Sequence, residues 1–152
     1  MKKVLIFCII CMHACVACAQ QEVKPTEVQL NAEAFLPELR DRLTEVESEL
    51  SDFMGAYPEV SLTEEEQDYV FARAEMLALS SVKLCAEECG MSEAAVSIYD
   101  LYIYMESLKV ECLEVPLSTQ KQELADKITA VCKYRWCVKA LEEWSMNLSK
   151  NI

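Results

Sequence analysis

Apolar residues recur at intervals of three and four along most of this chain, and that spacing admits one kind of secondary structure. Leu36, Leu39, Leu43, Val46, Leu50 and Phe53 form the first such series, a single stripe on an α-helix. Glu38, Asp41, Glu45, Glu47 and Glu49 fall off the stripe. With two glycines and four prolines in 152 residues, the chain has too few turn formers for a β-rich architecture. Pro37 suits a first helical turn, where a missing N–H costs nothing, and Gly55 suits a left-handed stop. A helix is expected over 36–55.

Three more helices follow. Thr63 and Glu66 make a capping box, and Glu64, Glu65, Glu66 and Asp68 place negative charge at the positive end of the helix dipole. This second helix is expected to reach Cys89 and stop at Gly90. Its apolar residues, among them Val70, Phe71, Met76, Leu77, Leu79, Val82 and Leu84, surround the axis, which predicts a central position. Ser92 caps a third helix to about Cys112, with Ala95, Ile98, Tyr102 and Met105 as its main seam and Val96, Tyr99 and Ile103 beside it. The two-residue link at Gly90 and Met91 forces the second and third helices to be antiparallel neighbours. After Pro116, Thr119 and Gln122 form a weaker box that opens a fourth helix carrying Leu124, Ile128, Val131, Val138 and Leu141 towards Leu148. The expected fold is all-α, a four-helix up-down bundle.

The amino terminus reads as an address. Lys2 and Lys3 precede the apolar run Val4 to Met12, and Ala17-Cys18-Ala19 offers small residues to a signal peptidase. A signal peptide over 1–19, a loose polar tail over 20–30 and one bundle domain over 31–152 are therefore expected. The apolar run is short of the roughly 20 residues needed to span a bilayer. Cys15 and Cys18 are candidates for a lipid anchor, although neither has a full lipobox before it. An extracytoplasmic destination, secreted or periplasmic, follows from this reading.

The mature part would keep 26 acidic and 12 basic residues, a charge of −14 over 133 residues. Such a chain lacks the basic footprint of a nucleic-acid binder. Residues 20–117 hold 22 acids against 6 bases, and residues 118–152 hold 4 against 6. The fourth helix can therefore dock on acidic neighbours, while Glu64, Glu65, Glu66, Asp68 and the acids between Glu38 and Asp52 could face a basic protein partner.

The five cysteines beyond the leader are Cys85, Cys89, Cys112, Cys132 and Cys137. At a 1.5 Å rise, Cys85 lies about 6 Å below Cys89, while Cys132 and Cys137 lie about 20 and 27 Å above the start of the fourth helix. Those heights predict Cys85 opposite Cys132 and Cys89 opposite Cys137, giving one or two disulfides between the second and fourth helices. Azimuth favours one, because Cys132 and Cys137 point about 140° apart. Cys112 is left unpaired, a buried thiol in the ordinary case. A zinc site is disfavoured, since structural zinc mostly uses tighter, loop-borne cysteine pairs.

Losing His13 with the leader removes the only histidine, and with it Ser-His and Cys-His catalysis and helical His-Glu metal motifs. Two glycines exclude phosphate-cradling loops. No enzymatic role, metal or cofactor is expected. Tyr104, Tyr134, Trp136 and Trp144 cannot all face one core, and half-exposed aromatics of this kind anchor interfaces. Two functions survive: an inhibitor- or immunity-type binding protein with an acidic face, or a carrier holding a hydrophobic ligand among Phe71, Met76, Tyr102 and Met105. A salt-dependent partner would mark the first, a co-purifying lipid-sized mass the second.

Overall fold

The computed structural model describes residues 26–146. The expected leader, most of the expected tail, Cys15, Cys18 and the last six residues lie outside them. Four helices account for the described chain: α1 (Glu27–Ala56), α2 (Glu64–Glu88), α3 (Glu93–Leu113) and α4 (Thr119–Met146). None is long and apolar enough to cross a membrane.

α1 begins well before Leu36, inside the stretch expected to be a loose tail. The cause is a capping box: Thr26 accepts from the Gln29 N–H, and the Gln29 carboxamide accepts from the Thr26 N–H at 2.6 Å. Gln29 is thereby buried with its oxygen satisfied. Pro37 consequently sits inside the helix and not in its first turn, removing one backbone bond. Gly55 does not form the stop, which comes at Tyr57.

α2 starts at Thr63 as its capping box dictates. It ends at Gly90 (φ +84°), where the Gly90 N–H donates to the Glu87 carbonyl and the Met91 N–H to that of Ala86. This paired bond pattern needs a left-handed residue, and glycine enters that region without a Cβ clash. Ser92 caps α3 through the Ala95 N–H. For α4 the cap is Ser118, whose side chain and carbonyl accept from the N–H groups of Lys121 and Gln122, so Thr119 is the first helical residue.

The helices pack in the order α1, α4, α2, α3, each antiparallel to its chain neighbour. α4 lies between α1 and α2, and α3 packs along α2 at the open edge. Four of the six buried residues of α2 are alanines (Ala72, Ala74, Ala78, Ala86), small enough to admit a helix on either side. The bulkier Phe71 and Leu84, expected inside, are exposed instead. One three-helix cluster joins Ala32 and Leu36 of α1, Cys89, and Val138 and Leu141 of α4, with Phe35, Leu39, Leu43, Cys85 and Trp144 against it.

α3 departs furthest from expectation. Ile98 and Met105, expected in its main seam, are exposed, and the side toward α2 is formed by Val96, Tyr99 and Ile103. A helix with one neighbour buries one stripe only.

Candidate functional site

α2 and α4 run parallel and start level, fixed by the Lys121 ammonium at 2.7 and 2.9 Å from the two Glu66 oxygens. From Glu64 to Cys85 is about 31 Å and from Thr119 to Cys137 about 27 Å, so those two cysteines meet. The Cys137 thiol donates to the Cys85 sulfur. The expected partners, Cys132 for Cys85 and Cys137 for Cys89, are thus one helical turn out of step. The five-residue descent after α3 starts α4 lower than a level hand-over from Cys112 would.

That contact polarises the pair. The bond from Cys137 holds the Cys85 thiol below its ordinary value, helped by Lys133 and opposed by burial and Glu88. The same bond, with burial, pushes Cys137 up. Burial and the neighbouring Cys85 raise Cys89 to about 11. Cys132 neighbours Glu75, Arg135 and Trp136 instead, its thiol raised by burial. All five described cysteines are free thiols, and Cys112 is exposed where a buried thiol was expected. No group of three or more His, Cys, Asp or Glu side chains is arranged to hold a metal among the described residues.

The acidic candidates divide. Glu66 is consumed by its cap and by Lys121, and these two contacts hold its carboxyl below the usual range. Glu64, Glu65 and Asp68 stay exposed in the first turns of α2. Elsewhere α4 spends its cations on α1: Arg135 on Glu47, Lys127 on Glu49, while Glu142 of α4 takes Arg40. Glu64, Asp68, Phe71 and Glu75 share one helix face by their spacing. Glu75 brings that face to α4, where it acts on Cys132 beside Trp136. Phe71, exposed, therefore accompanies the unspent carboxylates, while Trp136 (42% exposed) lies further along α4, beside Cys132.

The other aromatic candidates lie elsewhere. Tyr104, 61% exposed, stands on α3. Tyr134 is half-buried beneath two cations, Arg42 at 5.9 Å and Lys133 at 5.2 Å from its ring centre. Trp144, expected at an interface, packs on the three-helix cluster. The residues expected around a hydrophobic ligand do not converge on an enclosed space: Phe71 and Met105 are exposed, and Met76 and Tyr102 half-buried. They line neither of two open grooves that flank α1 and α4, one beside Phe53 and Lys127, the other beside Met54 and Arg135.

Between α2 and α3, Glu75 faces Glu106, whose buried Oε2 lacks a hydrogen-bond partner and whose other oxygen pairs with Lys109. Partial burial, then the Glu106 charge, raise the Glu75 carboxyl above the usual range, with Lys109 opposing and Cys132 the titratable neighbour on α4. A raised carboxyl binds its proton more tightly folded than unfolded. Its contribution is therefore present at low pH and lost as pH rises through the folded value. Glu75→Gln is expected to raise stability at pH 7 by on the order of 0.5 kcal/mol, after screening by water, and to change little at pH 4. Thermal unfolding at the two pH values checks this.

No protein-family model matches the chain, and neither a curated protein nor a solved structure does.

Proposed function

We propose that this chain is an exported, non-enzymatic helical protein that binds a basic protein partner through an acidic face, in the manner of an inhibitor or immunity protein. One observation carries the reading: three cations of α4, Arg135, Lys127 and Lys121, are taken up by Glu47, Glu49 and Glu66, while Glu64, Glu65 and Asp68 stay solvent-facing on the helix that also exposes Phe71. Exposed aromatics flanked by like charge supply both an anchor and electrostatic steering. The leader-like amino terminus and the absence of histidine beyond it support export and a non-catalytic role.

In an oxidising compartment, Cys85 and Cys137 join. The Cys85 thiolate attacks a protein or small-molecule disulfide, releasing one thiol. Cys137, deprotonated, then displaces the second thiol and closes the bridge. Two protein thiols lose two protons and two electrons, and the oxidant disulfide becomes two thiols.

The binding reading is tested by capture from the native extracytoplasmic fraction. A basic protein should be retained at low salt and released as salt rises. The variant Glu64→Gln, Glu65→Gln, Asp68→Asn should lose at least about tenfold in affinity, while neutralising Glu38 and Asp41 has a smaller effect. Salt-insensitive capture, or equal binding by the triple variant, refutes the acidic-face reading.

A further inference from the structure

α3 carries apolar residues on two opposite sides. One side runs along α2 through Val96, Tyr99 and Ile103. The other consists of Ala94, Ile98, Leu101, Met105, Leu108 and Cys112, every one exposed, with Leu101 at 59%. Their intervals are four, three, four, three and four, the repeat by which one helix seats on another as knobs into holes. Six consecutive seam positions cover almost the whole of α3, about 30 Å. Among the described residues no other helix packs over them, because α3 is the edge helix.

We propose that this stripe is where two copies of the chain associate, helix against helix, in an isologous pair. Charge identifies the occupant. Each copy carries −12, so most approaches between two copies are repulsive. The stripe contains no acid, and the positions bordering it (Ser97, Tyr102, Tyr104, Lys109 and Glu111) hold one charge of each sign. The remaining mid-helix acids of α3 turn toward α2, Asp100 to Lys83 and Glu106 to Glu75. A basic partner gains nothing on this surface, whereas a second copy meets it without repulsion.

Size and shape agree. The four large side chains of the stripe, Ile98, Leu101, Met105 and Leu108, together with Tyr104 at its border, are each about half exposed and present on the order of 600 Å2 per copy. That lies at the upper end of the roughly 300–600 Å2 patches that monomers expose, and two copies together reach the roughly 1,200 Å2 total at which specific interfaces begin. An even 3–4 repeat is complementary to itself, and two-fold pairing closes the contact and leaves no open end for further growth.

The test is the mass in solution of the chain expressed with its own amino-terminal segment. The protein is purified without detergent, and measured by sedimentation at tens of micromolar in 150 mM salt with a thiol reductant. Twice the chain mass is expected. Leu101→Glu should give the single-chain mass with unchanged helical circular dichroism. Should that variant misfold, Leu101→Ala is the second variant, with the dimer dissociation constant raised at least about tenfold. A single-chain mass for the unaltered protein overturns the proposal. So does a dimer that disappears with reductant, which would be a Cys112 disulfide only. A dimer indifferent to both Leu101 variants overturns it as well, as does a monomer bearing a lipid-sized ligand or covering the stripe with its own residues 1–25. The triple variant of the acidic face should remain dimeric, so a failure of either proposal is visible apart from the other.

Discussion

Leu141→Ala should destabilise the protein by about 3–4 kcal/mol, lowering the melting temperature by on the order of 10–15 °C. Leu141 is fully buried where α1, α2 and α4 meet, against Ala32, Leu36, Cys89 and Val138. Its neighbours are fixed on three helices, so they cannot collapse fully into the space that the three lost side-chain carbons leave. The interior is thin as well. Six of the eighteen buried apolar residues among those described are alanines, and only Leu141, Val70 and Cys89 combine large size with complete burial. One leucine therefore accounts for an unusual share of a folding free energy that is about 5–15 kcal/mol for ordinary domains. Urea denaturation with an unchanged slope checks the value. Leu30→Ala, at a half-exposed position on α1, should stay within about 0.5 kcal/mol and serves as the control. Equal effects at the two positions would mean that the three-helix cluster is not the core.

Oxidation should have the second large effect. A Cys85–Cys137 bridge closes a loop of about fifty residues and is expected to add about 2–4 kcal/mol, mainly by constraining the unfolded chain. Cys137→Ser should remove that gain, and so should reductant. Cys112→Ser should leave monomer stability unchanged, because Cys112 is exposed at the end of α3. Peptide mapping without reduction should recover Cys85 joined to Cys137. A fragment joining Cys85 to Cys132 would instead require α4 to slide by more than one turn, breaking the Lys121–Glu66 contact that levels the two helices. Non-reducing mapping and melting with and without reductant decide between the two pairings.

The bridge illustrates where reading along the chain stops. Cysteine spacing limits which helices can be joined, but which turn meets which depends on the relative height of α2 and α4. That height is set by the descent through 114–118 and by one ion pair between residues 55 positions apart. The start of α1 was open to a different kind of reading. Thr26 and Gln29 form a capping pattern as plain as that of Thr63 and Glu66, and the polarity of residues 20–30 with Pro25 obscured it. At α2 the apolar residues encircle the axis, so their pattern cannot distinguish the faces that touch α3 and α4 from those left in water. Alanine, weakly hydrophobic by itself, turned out to mark the contacts, because small residues are where helices approach closely.

The binding candidates show the same limit. Glu64, Glu65, Glu66 and Asp68 are equivalent as a run of charges. Only Lys121, arriving from α4, separates Glu66 from the rest. Tyr104 and Trp144 are both aromatic residues on apolar helices, yet one stands in solvent and the other packs on the core.

Helix content, three of the four helix starts and the stop at Gly90 were determined locally, because capping, glycine conformation and three–four spacing act within a few residues of one another. The order of the helices across the fold, the register of α4 on α2, and the choice of which apolar side of α3 faces inward came only from the assembled tertiary structure. Those outcomes depend on pairings between residues far apart in the chain, and on the simple fact that an edge helix has one neighbour. The amino-acid pattern of α3 offers two apolar sides, and packing on α2 uses one.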